Sequence, residues 1–186
     1  MSAALTYRIR LLAAIALALA TLAGGVSLAV PLSMPLGGYL GPVPLAAVSE
    51  AEAERAATAR PPRLAEAEAA TRRTLEVRPM DAAAWSRLAW IAREEGRTPA
   101  MLDALDRSYA VAPYGPEVTA WRLRFAFQNW PSLTPELRGQ ALGELAVTAR
   151  DRPGVAEAAS PDITDPAGRL AFTLGRRSPA PASDES

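Results

Sequence analysis

Prolines and the capping residues beside them divide residues 49–150 into six segments of helical length. A proline inside a helix removes a backbone hydrogen bond and clashes with the preceding turn, so helices begin or end at these positions. Thr98-Pro99, Gly115-Pro116 and Thr134-Pro135 each place proline at the first position of a new helix. No segment alternates between apolar and polar side chains as a half-buried strand does. The sequence therefore predicts an all-α fold.

Local signals set the bounds of the predicted helices. Ser49 and Glu52 form a capping box, which predicts that the first helix begins at Ser49 and ends before Pro61. Asp81 is the predicted cap of the third helix, and the Thr98 hydroxyl that of the fourth. The first three predicted helices are residues 49–60, 63–77 and 82–95. The other three begin at the Thr98-Pro99, Gly115-Pro116 and Thr134-Pro135 dipeptides, and the last of them ends near residue 150. Residues 151–186 are predicted to be mostly disordered, except for a short turn at 167–174.

Residues 11–30 are apolar over a length that spans a bilayer as a helix. Arg8 and Arg10 precede this stretch, and the next basic residue is Arg55. Because positive flanking residues stay inside, we expect residues 1–10 to be a cytoplasmic tail and the rest of the chain to lie across the membrane. All twenty basic residues are Arg and Ala is abundant, which is typical of a GC-rich bacterial genome. The expected location is therefore the bacterial inner membrane, with one pass and a periplasmic domain.

Two interpretations of this N-terminal region remain open. Residues 11–30 are either an uncleaved signal anchor or a signal peptide cleaved near Ala18-Leu19-Ala20 and followed by secretion to the periplasm. Cleavage would leave an uncharged, Leu- and Pro-rich N-terminus exposed to water, which favours the anchor. Residues 31–48 contain repeated Pro and Gly, which predicts a stalk between the membrane and the folded domain.

The composition excludes most catalytic and metal chemistry. The chain has no Cys, no His and no Lys. Zinc, haem and iron-sulfur sites lack their usual ligands, and the nucleophiles that depend on His, Cys or Lys are absent. Twenty acidic residues balance twenty basic ones, so no net charge gathers nucleic acid. We therefore expect no enzymatic activity, no cofactor, no metal and no nucleic-acid partner.

Pro79 and Pro113 stand 34 residues apart, which is the period of tetratricopeptide repeats. The segment between them resembles one repeat of that family, whose pattern is Trp, Leu, Gly and Tyr, then Ala, Phe, Ala and Pro. The residues that carry the resemblance are Trp85, Leu88, Ala89, Ala92, Gly96, Met101, Leu105, Ser108 and Pro113. The resemblance covers about half the chain and implies antiparallel helical hairpins in about three degenerate repeats, of which the outer two are weak. A partner, a second copy or the membrane anchor would then complete the burial.

In this family the first helices of successive repeats line a concave binding surface. On the alignment above, the residues facing that surface are Ser86, Trp90, Arg93 and Glu94. Trp85 and Trp90 lie about 140° apart around a helix, so both cannot be central to one face. If Trp85 is a core residue, Trp90 lies in the groove or against a neighbouring helix.

Arg122 is a further candidate for partner binding, because Arg122 and Arg124 have few acidic neighbours in the sequence. They point about 200° apart on a helix, so they do not form a single anion clamp.

The resemblance implies a membrane-anchored adaptor that binds a protein partner in the inner membrane or periplasm. The alternative is a structural accessory subunit, bound to an integral-membrane complex through the transmembrane helix and stalk. The overall plan, with the loop at residues 130–138, is also similar to small membrane-anchored repeat proteins encoded at bacterial exopolysaccharide and O-antigen loci. That similarity implies a role in surface polysaccharide biosynthesis or export.

Overall fold

The computed structural model describes residues 46–177, which form eight α-helices and no strand, so the all-α prediction is confirmed for this range. The helices are α1 (Ala46–Thr58), α2 (Leu64–Val77), α3 (Ala82–Glu94), α4 (Thr98–Val111), α5 (Pro116–Gln128), α6 (Pro135–Asp151), α7 (Pro153–Ala159) and α8 (Pro166–Arg177). Within the described range no helix is both long and apolar enough to cross a bilayer. The predicted cytoplasmic tail, the predicted membrane helix and nearly all of the predicted stalk lie outside the described residues.

The chain divides into two compact units, with the boundary after Val77. In the first unit, α1 and α2 pack against each other. Small side chains dominate their buried surface: Val48, Ala53, Ala56, Ala67, Ala70 and Leu75. Ser49 is fully buried inside α1, which already begins at Ala46, so the predicted helix start at Ser49 is wrong. Val48, which precedes the capping box, is also buried within this helix.

The second unit begins with the α3–α4 pair. Asp81 caps α3 as predicted, since its Oδ1 accepts hydrogen bonds from the backbone N–H groups of Ala83 at 3.1 Å and Ala84 at 3.0 Å. Gly96 turns the chain into α4 with φ of 70°, a left-handed conformation that glycine adopts without strain. Thr98 is the first residue of α4 and the N-cap position is Arg97, so the predicted Thr98 cap is wrong.

The helices α5 and α6 begin at Pro116 and Pro135, as their proline dipeptides predict. The Thr134 hydroxyl accepts a hydrogen bond from Leu137 N–H at 3.3 Å and caps α6. The core of the second unit lies between α4, α5 and α6 and contains Leu105, Leu123, Phe127 and Leu145.

Residues 151–177 differ from the disordered tail expected after Arg150. Helices α7 and α8 pack on α5 and α6, and their segment contributes Ile163 and Phe172 to the core, at 0% and 2% exposure. The Phe172 ring meets Phe127 edge to face, with centroids 5.0 Å apart. The folded unit therefore extends at least to Arg177, because these side chains complete its apolar core.

Candidate functional site

A surface cleft of about 300 Å³ opens in the second unit beside α3 and α5. Its lining residues are Trp90, Arg93, Glu94, Trp121, Arg124, Phe125, Gln128, Asn129 and Asp162. Helices supply all of them except Asn129 and Asp162, which lie in the turns that follow α5 and α7. The volume is at the lower end of the range for ligand pockets, so the cleft accommodates a few side chains at most.

The floor of the cleft is aromatic. Trp90 and Trp121 are both half-buried, so each packs one part of its ring system on the core and presents the rest to the cleft. Trp121 stacks on Phe125 with ring centroids 4.6 Å apart and planes 16° from parallel. This stacking fixes the Trp121 ring in one orientation, so little side-chain entropy would be lost on binding.

The rim of the cleft carries two basic and two acidic side chains, each in an ion pair. Arg93 Nη1 donates to Glu94 at 2.7 Å, and Arg124 Nη1 donates to Asp162 at 3.0 Å. Arg93 Nε also reaches the Asn129 amide oxygen at 3.3 Å. Because the charges cancel, the cleft attracts neither a strong anion nor a strong cation.

Gln128 holds the turn that closes one side of the cleft. Its Oε1 accepts hydrogen bonds from the backbone N–H of Thr164 at 2.7 Å and of Asp165 at 3.3 Å. Its Nε2 donates to the Thr164 hydroxyl at 2.9 Å. These bonds join the end of α5 to the segment that leads into α8, and they position Asp162 on the rim.

The structure brings three of the five predicted partner-binding residues together, since Trp90, Arg93 and Glu94 all line the cleft. Ser86 is instead 4% exposed, and its hydroxyl pairs with that of Ser108 at 2.9 Å. Arg122 is 0% exposed. A partner cannot reach either side chain in this structure, so both are corrected to interior residues. Ser86 faces the closely packed α4, and Arg122 is withdrawn into a buried polar network.

That network centres on an ion pair between Arg122 of α5 and Glu144 of α6, with Nη2 and Oε1 2.5 Å apart. Arg122 Nη1 donates to the carbonyl oxygens of Ser108 at 3.0 Å and Ala112 at 2.8 Å, and Nη2 to that of Pro113 at 3.1 Å. These carbonyls lie at the end of α4 and just after it. Two of them also accept long backbone hydrogen bonds, Ser108 from Ala112 N–H at 3.3 Å and Ala112 from Gly115 N–H at 3.4 Å, so the guanidinium reinforces the end of the helix.

Glu144 receives two further hydrogen bonds, from the Tyr109 hydroxyl at 3.1 Å and the Thr119 hydroxyl at 2.8 Å. The Tyr109 ring also lies under the Arg122 guanidinium, 4.2 Å from its centre. Burial raises the pKa of Tyr109 well above its ordinary value, and the negative charge of Glu144 raises that pKa further. Tyr109 is thus held as a neutral donor, which suits a structural role better than proton transfer.

Sequence reasoning did not identify Trp121, Gln128, Asn129 or Asp162 as cleft residues. Trp121 lies on α5, and Asp162 belongs to a segment expected to be disordered. Glu144 gave no signal, because its partner is distant in the sequence.

Among the described residues no cluster of acidic side chains is suited to hold a metal ion. Comparisons of this chain with protein-family models, with curated proteins and with solved structures found no match. Residues 46–177 thus define an all-α protein with an aromatic, charge-balanced surface cleft.

Proposed function

We propose that this chain is a membrane-anchored protein-protein interaction adaptor of the bacterial cell envelope. Its cleft, lined by Trp90 and Trp121, binds a short segment of a protein partner. The observation that carries the proposal is the presence of two half-buried Trp side chains in one cleft, with every rim charge paired. The chain acts by binding and not by catalysis.

The chemistry of the cleft supports a peptide ligand. Tryptophan is enriched among the residues that dominate binding energies, because it buries a large apolar area with few rotatable bonds. A partner side chain placed between Trp90 and Trp121 would find an apolar surface. The Asn129 amide and the rim ion pairs provide donors and acceptors for its backbone. A strongly charged ligand would have to displace Glu94 or Asp162 from its Arg.

A tetratricopeptide-like array is the proposed architecture behind this function. Support comes from the 34-residue spacing of Pro79 and Pro113, and from Gly96 at the turn between α3 and α4. Ala89, which matches the small residue of the family pattern, is fully buried where these two helices pack. On this proposal α3 and α5 are successive first helices, and both contribute residues to the cleft.

The cell-envelope location is proposed from the N-terminal charge pattern of the sequence. The proposed link to surface polysaccharide biosynthesis or export comes from the loop at residues 130–138. In that loop Arg138 lies over the Trp130 ring, 5.5 Å from its centre, and donates to the Trp130 carbonyl at 3.2 Å. These contacts hold Trp130 against the first turn of α6.

Site-specific photocrosslinking in cells tests the adaptor function. A benzophenone amino acid replaces Arg93 on the rim of the cleft, and in a matched control it replaces Asp103, an exposed residue of α4 outside the cleft. We expect a discrete crosslinked protein from position 93 and none from position 103. Identical adducts from both positions, or none from position 93, would contradict the proposal.

Substitution of the two tryptophans gives the quantitative test. Trp90→Ala and Trp121→Ala should each reduce capture of the crosslinked partner by about 30-fold, which corresponds to a binding hot spot of about 2 kcal/mol. Tyr114→Ala is the control, because Tyr114 is an aromatic residue that is 56% exposed and lies outside the cleft. Circular dichroism must show that all three variants stay folded. An equal loss of partner capture in the Tyr114 variant would show that the cleft is not the binding site.

A further inference from the structure

Helix α8 has apolar residues on two opposite faces. Its inner face packs on the core through Gly168 and Phe172, whereas Leu170 is 62% and Leu174 54% exposed. At about 100° per residue, each of these leucines points roughly 200° away from Phe172. They lie one turn apart and form a single outward apolar stripe. Large apolar side chains grouped on an exposed helix face indicate a surface that is covered in the cell.

The charge on α8 has one sign. The helix contains Arg169, Arg176 and Arg177 and no acidic residue, although the chain as a whole has zero net charge. Arg177 is seven residues from Leu170 and therefore projects along the same stripe, whereas the exposed Arg169 lies about 100° from Leu170, on the flank of the helix that also carries Arg176. Arg176 is directed instead towards Glu157 of α7, at 3.5 Å. The outward face of α8 thus combines two leucines with Arg177, and a second exposed arginine, Arg169, lies on its flank.

The exposed leucines and arginines of α8 together indicate what kind of molecule covers its outward face. A second copy packed face to face on α8 would bring arginines against arginines, with no acidic residue on the helix to offset them. An anionic phospholipid surface accepts both components, since leucines enter the boundary of the acyl chains while arginines contact phosphates.

We propose that the outward face of α8, formed by Leu170, Leu174 and Arg177 and flanked by Arg169, binds the anionic phospholipid surface of the membrane that carries the chain. The inference rests on the proposed membrane attachment, because so small a face binds weakly from solution. Tethering by residues 11–30 would supply the high local concentration that a weak contact needs. The second unit would then be held against the lipid by its last described helix.

A fluorescent label on α8 tests the contact in the full chain. The chain has no Cys, so Thr173→Cys introduces a unique thiol on an exposed position next to Leu170. The thiol carries an environment-sensitive dye, and the protein is reconstituted into vesicles of phosphatidylcholine, with or without one third phosphatidylglycerol. We expect blue-shifted emission and several-fold less quenching by acrylamide in the anionic vesicles, and a reversal of part of this change by high salt.

Matched variants assign the signal to the proposed face. Leu170→Ser with Leu174→Ser, or Arg169→Gln with Arg177→Gln, should each abolish the difference between the two kinds of vesicle. The same dye at Gln140→Cys, an exposed position on α6, should report no difference. A shift of equal size at position 140 would contradict the proposal, as would a shift that survives both double substitutions.

Extraction of the vesicles with alkaline carbonate separates this inference from the proposed attachment. A chain that is released by carbonate lacks the anchor, and both proposals then fail. A chain that stays in the membrane while the dye at position 173 responds equally to neutral and anionic vesicles overturns the α8 contact alone. A dye that responds only when a soluble acidic protein is added would identify a protein partner for this face and likewise overturn the lipid contact.

Discussion

Arg122 and Glu144 join three helices through one buried ion pair. Arg122 belongs to α5, Glu144 to α6, and the carbonyls that Arg122 bonds lie at the end of α4. A cation at this position also interacts favourably with the negative end of the α4 dipole. A buried ion pair adds little net stability by itself, because both charges lose their hydration. Its larger effect is to penalise any packing of these helices that separates the two groups.

Removing one partner of this pair should be costly. Arg122→Met leaves the Glu144 carboxylate buried without its cation, and we expect a loss of about 3–5 kcal/mol in the free energy of unfolding. The double variant Arg122→Met with Glu144→Leu removes both charges and should recover much of that loss. Urea denaturation of the full chain in mild detergent, followed by circular dichroism, measures all three proteins. A single variant as stable as the parent would show that the pair is not buried in solution.

Tyr109 should make the protein sensitive to alkali. Its pKa is raised in the folded state, so the folded protein keeps the phenol proton above pH 10 while the unfolded chain loses it. The stabilisation from this group is therefore complete below about pH 10 and is lost as pH rises towards the folded pKa. Tyr109→Phe should cost about 1.5–3 kcal/mol at pH 8, because Glu144 loses a donor.

The same substitution should flatten the alkaline loss of stability. Absorbance titration at the phenolate band should show one tyrosine fewer among those that ionise late in the folded protein. Tyr114→Phe is the control, since Tyr114 is exposed and its substitution should leave the stability unchanged. An unchanged titration curve for the Tyr109 variant would count against the buried network.

At the scale of elements, the end of the chain shows what sequence reasoning overlooked. Pro153, Pro161 and Pro166 lie in the range predicted to be mostly disordered, yet each begins or lies in the first turn of a helical segment. The prolines at 99, 116 and 135 predict helix starts by the same rule. The difference is that α7 and α8 are short and gain their stability from packing, which no local pattern reports.

Helix α8 depends on a close approach that only glycine permits. A Cβ atom added at Gly168 would lie 1.7 Å from the carbonyl oxygen of Phe127, which is a backbone atom of α5 and cannot move aside cheaply. Gly168→Ala should therefore displace α8, expose Phe172 and destabilise the second unit by about 2–5 kcal/mol, the cost of losing one large buried side chain. Hydrogen exchange should rise across residues 166–177.

Gly143→Ala provides the matched control on α6. A Cβ atom there meets nothing within 4 Å, so alanine should stabilise the helix by about 0.5–1 kcal/mol. Equal hydrogen exchange in α8 of the two variants would show that Gly168 is not a packing position.

At the scale of the molecule, the features that could be predicted from the sequence are those that depend on residues close together in the chain. The helical character, the Asp81 cap and the bounds of α2 and α3 follow from propensity, capping and spacing within a few residues. The buried ion pair joins residues 22 positions apart and forms only when α5 and α6 pack, so no local pattern indicated it. Trp90, Arg93 and Glu94 could be placed on one surface from the sequence because they share a helix, whereas Trp121 and Asp162 join them in the cleft only through tertiary packing.

The proposed topology of the whole chain is testable through its charge pattern. Arg8 and Arg10 are the only charged residues before Glu50, so they alone set the orientation of residues 11–30. Alkaline phosphatase is active only outside the cytoplasm, and its fusion after Arg177 should be active. Replacing Arg8 and Arg10 with Glu while changing Ser33 and Met34 to Arg should invert the charge bias and abolish that activity. The proposed uncleaved anchor also predicts that the mass of the purified chain includes residues 11–30. An inactive parent fusion, or activity unaffected by the inverted charges, would reject the proposed orientation.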